Sequence, residues 1–137
     1  MKNLIRSIAS VTFLLFCPKA FAEELFKATA LTKPGEFTKG IEGPACDKAG
    51  KVFAVNFKEQ GTIGRVSPDG KGEIFLTLPE GSTGNGIRFD KKGNMFIADY
   101  TKHNVLRVDA KTKKLTILAH EPKMNQPNDL AIDAKGN

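Results

Sequence analysis

Three stretches of this 137-residue chain align at a fixed offset of 43 residues without a gap. They are EGPACDKAGKVFAVNF (42–57), NGIRFDKKGNMFIADY (85–100) and NDLAIDAKGN (128–137). Asp47, Asp90 and Asp133 share one column, and Gly50, Gly93 and Gly136 share another. Phe53 stands over Phe96, and Asn94 over Asn137. A repeat constrains a fold more tightly than composition does, because each unit must stack on its neighbours to bury its apolar face.

The spacing inside the unit predicts strands. Each copy opens with a short alternating run, such as Ile87-Arg88-Phe89. An Asp-x-x-Gly turn follows, in which the Asp side chain bonds its own backbone and the Gly takes positive φ. Apolar runs come next, Val52 to Val55 in the first copy and Met95 to Ala98 in the second, suited to strands buried on both faces. Third strands are expected at Thr62 to Val66 and Asn104 to Val108, and fourth strands at Glu73 to Leu78 and Leu115 to Leu118. No stretch after Ala22 carries a 3.6-residue period, and the Gly- and Pro-bearing turns argue against stacked helix pairs.

Four strands in about 43 residues, repeated, is the period of a β-propeller blade. The expected fold is therefore all-β: a partial six-bladed propeller of about two and a third blades, spanning residues 23–137. Residues 24–31 are expected to add a strand to the last blade of a complete ring. A ring needs about four to eight blades, so the sequence reads as part of a longer protein. Alone, it is expected to lack activity and to aggregate through uncovered edges.

The first 22 residues read as a signal peptide. Lys2 and Arg6 precede an apolar stretch from Ile8 to Phe16, and Ala20-Phe21-Ala22 offers a small-x-small cleavage site after Ala22. That stretch is short for a bilayer span, so no stable membrane anchor is expected. Bulky Phe16 before Cys17 argues against lipidation. The destination is then periplasmic or secreted. The whole chain carries +6; the leader removes Lys2, Arg6 and Lys19 and no acid, leaving 18 basic against 15 acidic residues, or +3. Because these charges are interspersed, no nucleic-acid partner is expected. Cys46 is the lone cysteine after processing and is expected to be a buried small apolar residue, with a reactive thiol as the alternative.

Chemistry is sought at the start of each unit. In a propeller the first strand of every blade lines the central channel. The column there holds Glu42, Asn85 and Asn128, one oxygen-bearing side chain per unit. Converging carboxylate and amide oxygens suit a hard divalent cation, calcium foremost. No His or Cys recurs in the column, which disfavours zinc. Asn and Asp are also common at strand boundaries, where they bond local backbone, so spacing alone leaves a structural role open. Asp47, Asp90 and Asp133 are assigned to turns, His103 and His120 to surface loops, and Phe53, Phe89 and Phe96 to the core between blades.

EGPACDKAGKVFAVNF resembles the opening signature of the gluconolactonase, senescence-marker-protein and luciferin-regenerating-enzyme family. PNDLAIDAKGN is similar to that family's Pro-Asn-Asp segment. NGIRFDKKGNMFIADY fits too, though other propellers share its pattern. The resemblance covers residues 36–137. It implies a six-bladed propeller with one divalent ion in its channel, and hydrolysis of a small-molecule lactone such as a sugar-acid lactone. Glu42 matches the first metal carboxylate. Asn128, also a candidate metal ligand, and Asp129 match the pocket pair that meets substrate or metal-bound water. Asn85 is a pocket candidate from the repeat alone. The family's later Asn and Asp ligands, one of them the usual general base, have no counterpart here, so no catalytic residue is assigned. Ala45-Cys46 stands where an aromatic often follows the Pro.

The implied chemistry is metal-assisted ester hydrolysis, with Glu42 as ligand rather than base. The competing class is a non-catalytic propeller that binds a ligand or protein across its face, since fold does not fix function. A propeller lyase with an axial His in the later units is a third class.

Overall fold

The computed structural model describes residues 27–136; the expected leader at 1–22 and the start of the 24–31 strand lie outside them. Eight strands form two four-stranded antiparallel sheets, and no helix occurs among the described residues. The first sheet holds β1 (Ala45–Cys46), β2 (Val52–Val55), β3 (Thr62–Val66) and β4 (Gly72–Thr77), in chain order. The second repeats this order with β5 (Gly84–Phe89), β6 (Met95–Asp99), β7 (Asn104–Val108) and β8 (Leu115–His120). Both sheets are meanders, the topology that short turn-linked strands reach most directly.

The turns form as their residues require. Asp47 Oδ1 accepts the backbone N–H of Ala49 (2.9 Å) and of Lys51 (3.0 Å). Asp90 Oδ1 accepts those of Lys92 and Asn94, both at 2.8 Å. Gly50 and Gly93 close these turns at φ +75° and +85°. Asp133 Oδ1 accepts the Lys135 N–H at 2.8 Å, so the third copy makes the same turn. The repeat extends to an irregularity in pairing. Ile63 pairs Leu76 but Gly64 pairs Ile74, leaving Phe75 as an extra residue in β4. Leu118, 43 residues on, is extra in β8 between Ala119 and Ile117.

One apolar cluster joins the sheets. Phe53, Val55 and Ile63 from the first meet Ile87, Met95, Ile97 and Leu106 from the second, and all are buried. Phe53 sits edge-to-face with Phe75 (5.2 Å between centroids) and with Phe89 (5.1 Å). On the first sheet's other side, Phe57 lies over Gly64 and Gly72 so closely that a Cβ at either would strike its ring. Phe37 covers Phe57 edge-on at 5.0 Å.

Several expectations need correction. Residues 128–133 form no strand, because their backbone meets β5 through a single hydrogen bond rather than a ladder. Residues 27–31 form none either. Phe96 is half-exposed, since the face of the second sheet that matches the covered Phe53 face has no further sheet against it among the described residues. Cys46 is exposed, as alternation in the two-residue β1 turns Ala45 toward the core and Cys46 away. His120 ends β8 rather than lying in a loop.

Candidate functional site

The four residues singled out from the sequence, Glu42, Asn85, Asn128 and Asp129, line one cleft of about 290 Å³, joined by Arg88. Backbone contacts put them there. The carbonyl of Glu42 accepts the N–H of Val55 at 3.2 Å, tying the segment before β1 to the end of β2. Asn85 is the second residue of β5. The carbonyl of Asn128 accepts the N–H of Gly86 at 2.8 Å, which lays residues 128–129 beside β5.

Two glycines make this approach possible. A Cβ on Gly43 would overlap the Asn85 carbonyl oxygen and lie 2.8 Å from its carbon. A Cβ on Gly86 would overlap Asp129 Oδ1 and lie 2.8 Å from Asp129 Cα and 3.0 Å from the Asn128 carbonyl oxygen. Gly43 and Gly86 are themselves 43 residues apart, so each unit's opening rests on the next through a glycine. That column was present in the sequence and marks a close backbone approach.

Arg88 was not expected. Its Nη2 donates to Asp129 Oδ2 at 2.5 Å and its Nη1 to the Ile87 carbonyl at 2.7 Å. Asp129 Oδ1 accepts the Leu130 N–H at 2.8 Å. The sequence held no cue to Arg88, because Ala45 and Ala131 occupy its column in the other units. The side chains of Glu42, Asn85 and Asn128 make no hydrogen bond or ion pair among the described residues. The cleft therefore offers one unpaired carboxylate and two free amides beside an Arg–Asp pair.

The turn acids lie elsewhere. Asp47 and Asp90 bond their own turns at the far ends of β1 and β5, and Asp133 bonds its own turn past the 128–132 segment. Burial pushes the Asp90 carboxyl up, but the Asn94 amide and the N–H groups of Asn94, Lys92 and Gly93 outweigh it, so the group rests below its ordinary value. His103 Nδ1 lies 3.0 Å from the Pro122 carbonyl and His120 Nδ1 lies 2.8 Å from Asn104 Oδ1. A second polar cluster surrounds Asp99, which is fully buried. Its carboxylate accepts from the Ser82 hydroxyl (2.8 Å), the Asn104 amide (2.9 Å) and the Thr83 and Lys102 N–H groups. Asn56, one repeat earlier, does the same work with the Gly61 N–H and the Gly40 carbonyl. Both close loops at the ends of second strands, as buried polar groups must find partners.

No protein-family model matches the chain, and no curated protein matches its sequence. Among the described residues no three His, Cys, Asp or Glu side chains group to hold a metal ion. The donor chemistry of the cleft fits part of a calcium sphere in kind, with one free carboxylate and two amide oxygens where six to eight oxygens are needed.

Proposed function

We propose that this chain is part of an exported six-bladed β-propeller whose channel cleft takes a divalent cation, calcium foremost, and hydrolyses small lactones. The reading is supported by one observation above all: oxygen-bearing side chains from three successive 43-residue units line the same cleft. Among the described residues Glu42, Asn85 and Asn128 carry no competing side-chain bond, which leaves their oxygens open to a cation or a polyhydroxylated substrate.

Glu42 and Asn128 would hold the cation. When bound, it would supply Lewis-acid polarisation of an ester carbonyl. Asn85 would orient substrate hydroxyls through its amide, which can both donate and accept. Arg88 fixes the Asp129 carboxylate from one side, so that group is positioned before substrate arrives. The same pair favours a second reading, a ligand-binding propeller without catalysis, because a carboxylate bound to a guanidinium is a poor metal ligand and a poor base.

Calcium titration by calorimetry, with terbium luminescence as a second readout, tests the site. Binding is expected for the chain and its loss for Glu42→Gln. A chain that takes up neither ion would overturn the metal reading. Release of acid from a simple lactone, followed in a chain that carries further units, separates the two functions. Calcium binding without acid release would leave the binding module.

A further inference from the structure

At the turn end of the sheets, away from the Glu42 cleft, a cavity of about 300 Å³ opens between them. Its wall is aromatic. Phe53, Phe75 and Phe89 line it in the edge-to-face cluster described above. The bulge in β4 helps to put Phe75 there, since Phe75 is the extra residue that no β3 residue opposes. Its rim is cationic. Lys48, Lys51, Arg65 and Lys113 line it with two carboxylates, Asp47 and Asp109.

The two signs are not equally free. Asp47 is bonded to its turn, and Asp109 accepts from Lys111, Thr112 and Arg107. Arg65 is paired with Glu73. The lysines have no acidic partner among the described residues. Lys48 Nζ reaches the Lys91 carbonyl and Lys113 Nζ the Ala110 carbonyl, both neutral, and the Lys51 side chain makes no hydrogen bond or ion pair there. Lys113 Nζ also lies 5.9 Å from the centre of the Phe75 ring, and the Arg65 guanidinium 5.3 Å from it. Lysines with no acidic partner among the described residues, set around an apolar wall, are complementary to an anion that carries an aromatic body.

The geometry points to this cavity as a binding site for a small aromatic carboxylate, its ring against Phe53, Phe75 and Phe89 and its carboxylate among Lys51, Lys113 and Lys48. The assignment is independent of the lactonase reading, because it shares no residue with the Glu42 cleft.

Naphthoate is a suitable probe, since the chain has no tryptophan to mask its fluorescence. Saturable binding to the full chain is expected, weakening as salt is raised. The double variant Lys51→Glu/Lys113→Glu changes one half-buried and one exposed side chain, neither in the core cluster, and it should bind about tenfold more weakly. Phe75→Leu keeps an apolar side chain but removes the ring, and should also weaken binding. Methyl naphthoate, which lacks the charge, should bind more weakly than the acid, while Glu42→Gln should bind naphthoate as the parent does. Absence of saturable binding, equal affinity in the double lysine variant, or equal affinity for the ester would each overturn the site.

Discussion

Gly86 donates its backbone N–H to the Asn128 carbonyl at 2.8 Å, with Asp129 Cα so near that a methyl group on Gly86 would sit 2.8 Å from it. This contact holds the third unit's opening against β5 and shapes one wall of the Glu42 cleft. Gly86→Ala should destabilise the chain by about 1–3 kcal/mol through overpacking alone. Gly50→Ala is the control: it has open space around its Cβ and a φ of +75°, so it isolates backbone strain. Urea unfolding of both variants checks this. Resonances of Asn128 and Asp129 should shift in Gly86→Ala and stay in place in Gly50→Ala.

Phe53 and Phe96 occupy one column of the repeat but not one environment. Phe53 is buried between Phe75 and Phe89, whereas Phe96 is half-exposed. Phe53→Ala should cost about 3–5 kcal/mol, as buried Phe truncations do. Phe96→Ala should cost clearly less. Equal losses in denaturant midpoint would contradict the one-sided core.

Acid should weaken the turn between β7 and β8. The N–H groups of Thr112 and Lys111 lead in lowering the Asp109 carboxyl from 3.8 to about 2. A folded pKa below the unfolded one gives stability that is complete above the unfolded value and is lost as pH falls through the folded one. The contribution is therefore present above pH 3.8 and fades toward about pH 2. Asp109→Asn should flatten this part of the stability profile, read as unfolding midpoint against pH. An unchanged profile would contradict it.

Arg88 and Asp129 form an ion pair open to solvent on both sides, so its loss should cost no more than about 1 kcal/mol of stability. Its effect on the cleft should be larger. Arg88→Ala removes a positive charge and frees the Asp129 carboxylate, so calcium should bind several-fold more tightly, as calorimetry would register. Unchanged or weaker binding would separate Asp129 from the cation site.

Cys46 is exposed on a two-residue strand. In a Cys17→Ser background the folded chain should react with a disulfide reagent such as Ellman's without denaturant. A thiol released only on unfolding would restore the buried reading.

Much of the architecture was legible in the sequence because its causes are local. The Asp-x-x-Gly turns follow from side chains bonding their own backbone, and Thr62–Val66 and Asn104–Val108 form strands at the bounds their apolar runs suggest. The repeat also indicated that Glu42, Asn85 and Asn128 hold equivalent places, and these do line one cleft. Local pattern failed at 128–133, where alternation alone cannot supply the partner strand that a ladder requires. It failed again at Cys46 and Phe96, where residue type suggested burial but the neighbouring sheet decides it.

By itself, then, the sequence determined the period, the turns and which side chains recur, since these depend on residues a few positions apart. Tertiary structure alone decided that Arg88 reaches Asp129 across 41 residues and that three phenyl rings meet under a lysine rim. Those contacts depend on how one sheet settles on the next. That angle is set by summed apolar burial and the close fit at Gly43 and Gly86, and no single segment encodes it.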